Sequence, residues 1–249
     1  MVAVQNSLAI ILRWRAYGES DKIVTCLTQD VGKLTGIAKG ARRSRRRFAN
    51  SLEPLARVRM YFRLRPNAHL AFLESCELLQ SSSGLTDPTR FAYASYLAEL
   101  VDQLTVEEHP VVELYALLEE GLNELEHGPA TSALLRGFEL QVLSRAGYEP
   151  QLEHCARCQR PLPTAGTVHL HTAHGTFICP DCRQPGAPLL AVSASVIVQL
   201  LALKAQRLVD CRQQVLGSSA AEAAQLSGRL LALHLPHPLR SLKLIEQLS

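Results

Sequence analysis

The chain has 249 residues, of which 47% are hydrophobic and 20% are charged, and this composition excludes a disordered protein. The most apolar stretch, residues 187–203, is interrupted by Pro188, Ser193 and Gln199, so we predict no membrane span. The first basic residue is Arg13, whereas a secretory signal places its charge before its apolar region. We therefore expect a cytoplasmic protein.

Positive charge is concentrated in the first third of the chain. Residues 1–80 hold 14 basic and 6 acidic residues, a net charge of +8, whereas the whole chain carries +3. A basic module of this kind suits a polyanion, and nucleic acid is the first candidate. The alternative is a solvated basic surface without a partner.

The first 80 residues predict β-strands. Runs of β-branched or alternating apolar residues cover 4–17, 22–28, 33–38, 52–64 and 70–79. Turn residues separate these runs, among them Asp30-Val31-Gly32 and Pro66-Asn67. Five strands in about 75 residues predict a small closed barrel, and the OB-fold has that number of strands.

From residue 86 onward the apolar period becomes that of a helix. Asp87 and Pro88 supply a cap residue and an early proline. One helical face then carries Phe91, Ala94, Leu97, Val101 and Leu104. Further helices are predicted over 110–126, 130–146, 193–208, 218–235 and 239–248.

Four of the seven cysteines have the spacing of a zinc site. Cys155-x2-Cys158 and Cys179-x2-Cys182 are separated by 20 residues. Two such pairs, joined by a hairpin over 167–171 and 176–178, place four thiolates around one Zn²⁺ and leave no open position, so its role would be structural. Two disulfides or a redox motif are the alternatives, and a cytosolic chain disfavours the disulfides. A nearby histidine could replace one ligand; the candidates are His154, His169, His171 and His174.

The remaining cysteines, Cys26, Cys76 and Cys211, are scattered among apolar residues and are predicted to be small buried hydrophobes.

Together these patterns predict an α+β multi-domain protein. We predict that residues 1–80 form an OB-fold barrel suited to nucleic acid and that residues 81–149 with 187–249 form an α-helical domain. Residues 150–186 form a zinc ribbon inserted into that domain.

The densest basic run follows the third predicted strand. The candidate DNA contacts in it are Lys39, Arg42, Arg43, Arg45, Arg46 and Arg47. Packed like charges repel, so we expect this run to be exposed and to contact phosphates. About five phosphates on a single strand would give a slope of log K against log salt near −3.5. Nearby aromatic residues are candidates for base stacking, although each is more typical of a core; they are Trp14, Tyr17, Phe48, Tyr61 and Phe62.

The sequence contains no nucleotide-binding loop, no H-E-x-x-H and no G-x-S-x-G, so we expect no enzyme. Three alternatives stay open. A zinc-ribbon protein that binds RNA or assists transcription would share the barrel, the basic run and the zinc ribbon. A nuclease could assemble its carboxylates only in the fold. An interaction scaffold could use the basic run to bind an acidic protein.

Several segments, taken in order, resemble the RecO family of bacterial DNA repair proteins. They are Tyr17-Gly18-Glu19-Ser20-Asp21-Lys22-Ile23-Val24, Ala38-Lys39-Gly40-Ala41-Arg42-Arg43, Leu52-Glu53-Pro54-Leu55, the two Cys-x2-Cys pairs and Leu239-Arg240-Ser241-Leu242-Lys243. The chain departs from the family pattern at Gln159 and at His174, where members with the zinc motif often have glycine.

The resemblance implies a recombination mediator of the bacterial cytoplasm and nucleoid that binds single- and double-stranded DNA and anneals complementary strands. It implies SSB and RecR as partners and a functional link to RecA and RecF. Lys39, Arg42 and Arg43 carry over as DNA contacts, and Arg45, Arg46 and Arg47 extend that set by charge density alone. The four cysteines carry over as ligands of one structural zinc. Arg136 and Arg145 are basic candidates for contact with the acidic SSB tail.

Overall fold

The computed structural model describes residues 3–64, 70–107 and 109–248. The chain divides into two compact units, Met1–His127 with Leu239–Ser249 and Gly128–Pro238. Within the described ranges, no helix is both long enough and apolar enough to cross a membrane. The three-part division predicted from the sequence follows changes in secondary structure rather than compactness, and it stays a prediction.

Five strands of the first unit close into a barrel. They are β1 (Gln5–Tyr17), β2 (Asp21–Thr28), β3 (Gly32–Ala38), β4 (Arg57–Arg63) and β5 (Ala71–Gln80). Their order is β1-β2-β3-β5-β4, and β3 runs parallel to β5. The predicted OB-like barrel is therefore confirmed. The fourth strand begins at Arg57 instead of residue 52, because residues 49–55 form turns, and the predicted break at Pro66-Asn67 lies outside the described residues.

The barrel closes through β1, which is long enough to pair with two neighbours. Its first half, from Gln5 to Ile10, is antiparallel to β4, and its second half, from Ala9 to Tyr17, is antiparallel to β2. The register with β2 shifts between Ile11 and Arg13. Alternate strand residues point inward, and the resulting core includes Ala9, Ile11, Val24, Leu34, Val58, Met60, Phe62 and Leu73.

The α-helices that the structure describes are α1 (Pro88–Leu104), α2 (Val112–His127), α3 (Ser132–Arg145), α4 (Ala194–Ala205), α5 (Leu208–Gln213), α6 (Ala220–Ala232) and α7 (Ser241–Leu248). The predicted cap of α1 is confirmed, since the Asp87 carboxylate accepts the Arg90 N–H at 2.9 Å. Phe91 in its first turn is 43% exposed, and the buried face begins at Ala92.

In the first unit, α1 packs against both α2 and α7. The Glu99 carboxylate of α1 accepts the backbone N–H groups of Arg240 and Ser241 at 2.9 and 2.8 Å. These two groups lie at the start of α7, where backbone N–H groups have no partner within the helix. Glu99 thereby ties the C-terminal helix to α1.

In the second unit, α3 is the central helix. Every residue from Ala133 to Leu143 is buried, and α4, α5 and α6 pack around it. Gly137 allows the close approach of α5, because a Cβ atom at this position would lie 2.7 Å from the Sγ of Cys211.

A small three-stranded sheet, β6 (Thr167–His171), β7 (Thr176–Ile178) and β8 (Leu189–Ser193), belongs to the second unit, with β6 in the centre. The predicted hairpin of β6 and β7 is confirmed. The prediction of a helix over 193–208 missed β8 and α5. The apolar run that forms β8 continues directly into α4, so its periodicity did not distinguish a strand from a helix; pairing with β6 decides the outcome.

A buried ion pair joins the barrel to α2 within the first unit. The Arg57 Nη1 of β4 lies 3.1 and 3.0 Å from the two carboxylate oxygens of Glu126. The side chains are 7% and 5% exposed. Gln80 donates to the same carboxylate, and Arg90 donates to the Glu126 carbonyl at 3.4 Å. Two secondary-structure layers therefore meet at one desolvated charge pair.

We expect Glu126→Ala to lower the free energy of unfolding by about 3–5 kcal/mol, because it leaves the Arg57 guanidinium buried without its counter-ion. Urea denaturation followed by circular dichroism measures this loss. Glu77→Ala is the control, since Glu77 lies 4.0 Å from an exposed Arg59; its cost should stay below about 1 kcal/mol. Equal losses in the two variants would contradict the importance of burial.

Candidate DNA interface and metal centre

The basic segment, defined as residues 39–47, leaves the barrel at the end of β3. All six predicted DNA contacts in it are exposed, as their mutual repulsion led us to expect: Lys39, Arg42, Arg43, Arg45, Arg46 and Arg47. Gly40 turns the chain with a φ of 69°, a conformation that glycine adopts without strain, and Ala41–Arg43 form one 3-10 turn. The structure thus presents these cations on a single surface loop.

Both ends of the basic segment are fixed to the barrel. Ala41 and Phe48 belong to the barrel core, and the Arg47 carbonyl accepts the Cys76 N–H of β5 at 2.8 Å. The Arg47 guanidinium donates to the Lys39 carbonyl at 2.8 Å and closes the loop on itself. The arginines are therefore displayed by an anchored loop, and their spacing is set by the fold.

The basic segment also docks on the β1–β2 turn, residues 18–20. The Arg42 N–H donates to the Ser20 carbonyl at 2.9 Å, and the Arg42 guanidinium donates to the Glu19 carbonyl at 3.1 Å. Two barrel loops that are distant in sequence thus form one surface. That surface lies at the ends of β1, β2 and β3.

The structure divides the five aromatic candidates for base stacking. Phe48 and Phe62 are in the barrel core, so a stacking role for them is wrong. Tyr61 is half-buried and its hydroxyl donates to Glu77 at 3.1 Å. Trp14 and Tyr17, near the tip of the β1–β2 hairpin, are 37% and 51% exposed. The Lys22 ammonium lies 3.7 Å from the centroid of the Trp14 ring and covers one of its faces.

Two acidic residues, Asp102 of α1 and Glu107, contact the outside of the barrel on β1 and β3. Asp102 of α1 accepts from Arg13 at 2.7 Å and lies 3.3 Å from Lys33. The Glu107 carboxylate accepts a hydrogen bond from the Thr35 hydroxyl. The backbone of Glu107 forms an isolated parallel β-bridge with that of Lys33. No motif or periodicity in the sequence indicates these contacts. These contacts pair Arg13 and Lys33 within the fold, whereas the cations of the basic segment stay exposed.

The predicted four cysteines come together in the second unit. The Sγ atoms of Cys155, Cys158, Cys179 and Cys182 all lie within 4.8 Å of one another. Cys158 and Cys179 are separated by 3.6 Å, close to the edge of about 3.8 Å that a tetrahedron with Zn–S bonds of 2.3 Å requires. The cluster can therefore hold one thiophilic metal ion with a full set of four ligands.

Local turns aim the four sulfurs at one point. The Gln159 N–H donates to the Cys155 carbonyl and the Cys182 N–H to the Cys179 carbonyl, at 2.9 and 3.1 Å. The Ala156 N–H donates to the Phe177 carbonyl at 2.9 Å and ties the first turn to β7. The hairpin brings the second cysteine pair beside the first. Gln159, at the family's glycine position, has a φ of 58°.

The sulfurs differ in their readiness to lose a proton. Burial by itself would raise the pKa of Cys155, but N–H groups of Cys158, Cys179 and Arg157 donate to its sulfur and lower that pKa to about 6. Hydrogen bonds with Cys179 and Cys158 raise the pKa of Cys182 to about 12. A bound cation would displace the remaining protons, so metal affinity should fall in acid.

The nearby histidines and the three remaining cysteines lie outside the metal-binding group. Among the described residues, the metal-binding group contains no histidine, so His154, His169, His171 and His174 are not ligands in this arrangement. Cys26, Cys76 and Cys211 are buried, as predicted. Burial raises the pKa of Cys26 and raises that of Cys76 to about 12, which keeps both as unreactive thiols.

Arg136 is wrong as a candidate for the surface that meets an acidic tail. It is 7% exposed, forms an ion pair with Glu139 at 2.9 Å and donates to the Ser227 hydroxyl at 2.9 Å. It lies on the central helix of the second unit, which other helices surround. Arg145, at the end of that helix, is exposed and donates to Gln141 at 3.1 Å.

Comparison with known proteins gives full-length matches. The family profile described as "Recombination protein O N terminal" matches residues 1–82, and "Recombination protein O C terminal" matches residues 85–243. A DNA repair protein RecO of Anaeromyxobacter sp. strain Fw109-5 is 36% identical over 244 residues, 96% of this chain and 94% of the relative. One of Syntrophus aciditrophicus strain SB is 35% identical over 254 residues, 99% and 97% of the two chains.

We expect Gln159→Gly to stabilise the metal-binding hairpin by about 1 kcal/mol, because a residue with a Cβ is strained in the left-handed region. Thermal melting and the rate of metal loss to a chelator measure the gain. Gln159→Ala is the matched control, since it shortens the side chain and keeps the Cβ. An equal gain in the alanine variant would show that backbone strain is not the cause.

Proposed function

This chain belongs to the RecO family of DNA repair proteins, and from that membership we propose that it is a recombination mediator. In this role it anneals complementary strands, including strands coated by SSB, and helps RecR to load RecA. The observation that supports the proposal most directly is the basic segment, an anchored loop with six exposed cations.

The proposed mechanism is electrostatic. Two complementary strands repel each other before their bases pair, and a cationic surface lowers that repulsion by neutralising phosphates. Contacts to phosphates leave the base edges free for pairing and carry no sequence preference. No bond is made or broken, so we propose that the protein acts without a catalytic centre. Lys39, Arg42 and Arg43, together with Arg45, Arg46 and Arg47, are the proposed contacts.

The remaining partners are proposed on the family resemblance. The acidic tail of SSB would dock on the helical part of the chain, where Arg145 is the basic candidate that is still accessible. RecR would be the direct partner in RecA loading, and the link to RecF would be functional. We place this activity in the bacterial cytoplasm, at the nucleoid.

We also propose that the four-cysteine cluster holds one structural Zn²⁺. Four thiolates at the spacing of a tetrahedron support zinc, and they fill its coordination sphere without a place for water or substrate. The zinc would supply folding energy to residues 150–186, because β6 and β7 by themselves form a short hairpin.

The test of the mediator function is annealing of two complementary oligonucleotides, each coated with SSB, over a series of salt concentrations. We expect acceleration without ATP that fades as salt rises. Binding to naked single strands without acceleration would refute the mediator role and favour a general nucleic-acid-binding protein. Tighter binding to structured RNA than to DNA would favour the RNA-binding alternative.

A pair of variants locates the DNA surface. Arg45→Ala with Arg46→Ala should reduce the slope of log K against log salt for single-stranded DNA by about 1.4, the share of two phosphate contacts. Arg207→Ala with Arg229→Ala removes the same charge from exposed positions of the second unit and should leave the slope unchanged. Fluorescence anisotropy measures both, and equal changes would mean that net charge alone matters.

Cys158→Ala should release the metal and unfold residues 150–186 before the rest of the chain, because three ligands remain for an ion that needs four. Metal content and hydrogen exchange of this segment are the measurements. Cys211→Ala is a cysteine control outside the cluster, and it should keep the metal. Full metal retention with an unchanged exchange pattern in Cys158→Ala would contradict the assignment.

A further inference from the structure

An acidic residue lies at the base of the proposed DNA surface. Asp21 begins β2, directly after the turn on which the basic segment docks. Its Oδ1 accepts the Gly40 N–H at 2.8 Å and the Ser20 hydroxyl at 3.0 Å. A carboxylate beside a phosphate-binding loop opposes binding by its charge. Its presence therefore calls for a structural reason.

The contact with Gly40 continues the strand pairing into the basic segment. Lys22 and Ala38 are the last register pair of β2 and β3 at this end. Beyond them, the Asp21 carboxylate takes the place of a strand carbonyl as the acceptor for Gly40. Gly40 is the left-handed residue that starts the 3-10 turn carrying Arg42 and Arg43. The hydrogen bond thus fixes the direction in which the basic segment leaves the barrel.

Three hydrogen bonds then join the segments around residues 19–21 and 40–42. Besides the Asp21–Gly40 bond, the Arg42 N–H donates to Ser20 and the Arg42 guanidinium to Glu19. Among these three bonds, only the Asp21–Gly40 bond has a side-chain acceptor. A substitution at Asp21 therefore removes this bond and leaves the arginines of the basic segment in place. The bond to Gly40 also lowers the pKa of Asp21, because it stabilises the charged carboxylate.

We propose that Asp21 is a positioning residue for DNA binding, whose hydrogen bond to Gly40 holds the basic segment in the geometry that engages a strand. The proposal rests on the proposed DNA-binding function. Without the bond, the segment would populate other arrangements, and the apparent affinity would fall with the fraction that is competent to bind.

Charge and geometry predict opposite signs for removal of this carboxylate. If Asp21 acted by charge alone, its loss would tighten DNA binding, because a negative group near the phosphates disappears. If it positions the basic segment, its loss weakens binding despite the gain in net positive charge. The sign of the change therefore distinguishes the two explanations.

The experiment compares Asp21→Ala, Asp21→Asn and Glu19→Ala in the full chain, with a labelled oligo-dT strand followed by fluorescence anisotropy. We expect Asp21→Ala to bind about five- to tenfold more weakly and with a shallower salt slope. Asp21→Asn keeps an oxygen acceptor for Gly40 and should bind within about threefold of the wild type. Glu19→Ala removes the same charge from an exposed neighbour in the turn and should bind equally or more tightly.

Three results would overturn the proposal. The first is an Asp21→Ala variant that binds as tightly as Glu19→Ala. The second is an Asp21→Asn variant as weak as Asp21→Ala. The third is weaker binding with an unchanged salt slope and a lower melting temperature, which would indicate loss of folded protein. A wild-type protein that fails to bind the strand would instead refute the proposed function and would be recognised before any variant is compared.

Discussion

The antiparallel pairing of β2 with both β1 and β3 is the constraint on which the proposed DNA surface depends. Because Tyr17 pairs with Asp21 and Lys22 pairs with Ala38, the β1–β2 turn is held near the end of β3. That placement allows the Ser20 and Glu19 carbonyls to receive Arg42. The like charges of the basic segment repel each other, so its conformation depends on hydrogen bonds to the barrel.

The basic residues of the first unit fall into two groups, those paired with a carboxylate and those that are exposed and unpaired in the described residues. Glu126 neutralises the buried Arg57 and joins the barrel to α2, while Asp102 pairs with Arg13 and Lys33 on the strand face. Arg45 and Arg46, by contrast, form no salt bridge within the described residues. Cations that are paired inside the fold contribute to its stability, whereas the exposed, unpaired ones are available to a polyanion. The net charge of residues 1–80 alone does not reveal this division.

The geometry of the cysteine cluster, unlike that of the basic segment, depends mainly on residues close in sequence. Its turns are local, and the hairpin that joins them is short, so most of its geometry follows from about 30 consecutive residues. Gln159 fits this pattern with a left-handed backbone that a glycine would adopt more easily. Gln159 stands where members of the family with the zinc motif often have glycine. The turn after Cys155 nevertheless forms, with the Gln159 N–H donating to the Cys155 carbonyl.

The features that depend on neighbouring residues could be predicted from the amino-acid sequence. It predicted five barrel strands, the cap at Asp87, the four clustered cysteines and the exposure of the arginines, because periodicity, capping, ligand spacing and repulsion all act locally. The features that need partners distant in the chain could not be predicted from it. Pairing with β6 made residues 189–193 a strand, and the surrounding helices buried Arg136 beside Glu139. Burial of Phe48 and Phe62, the contacts of Asp102 and Glu107 with β1 and β3, and the bond from Gly40 to Asp21 also belong to this group. Each requires two segments to meet in space, and the free energy of that contact is absent from either segment alone.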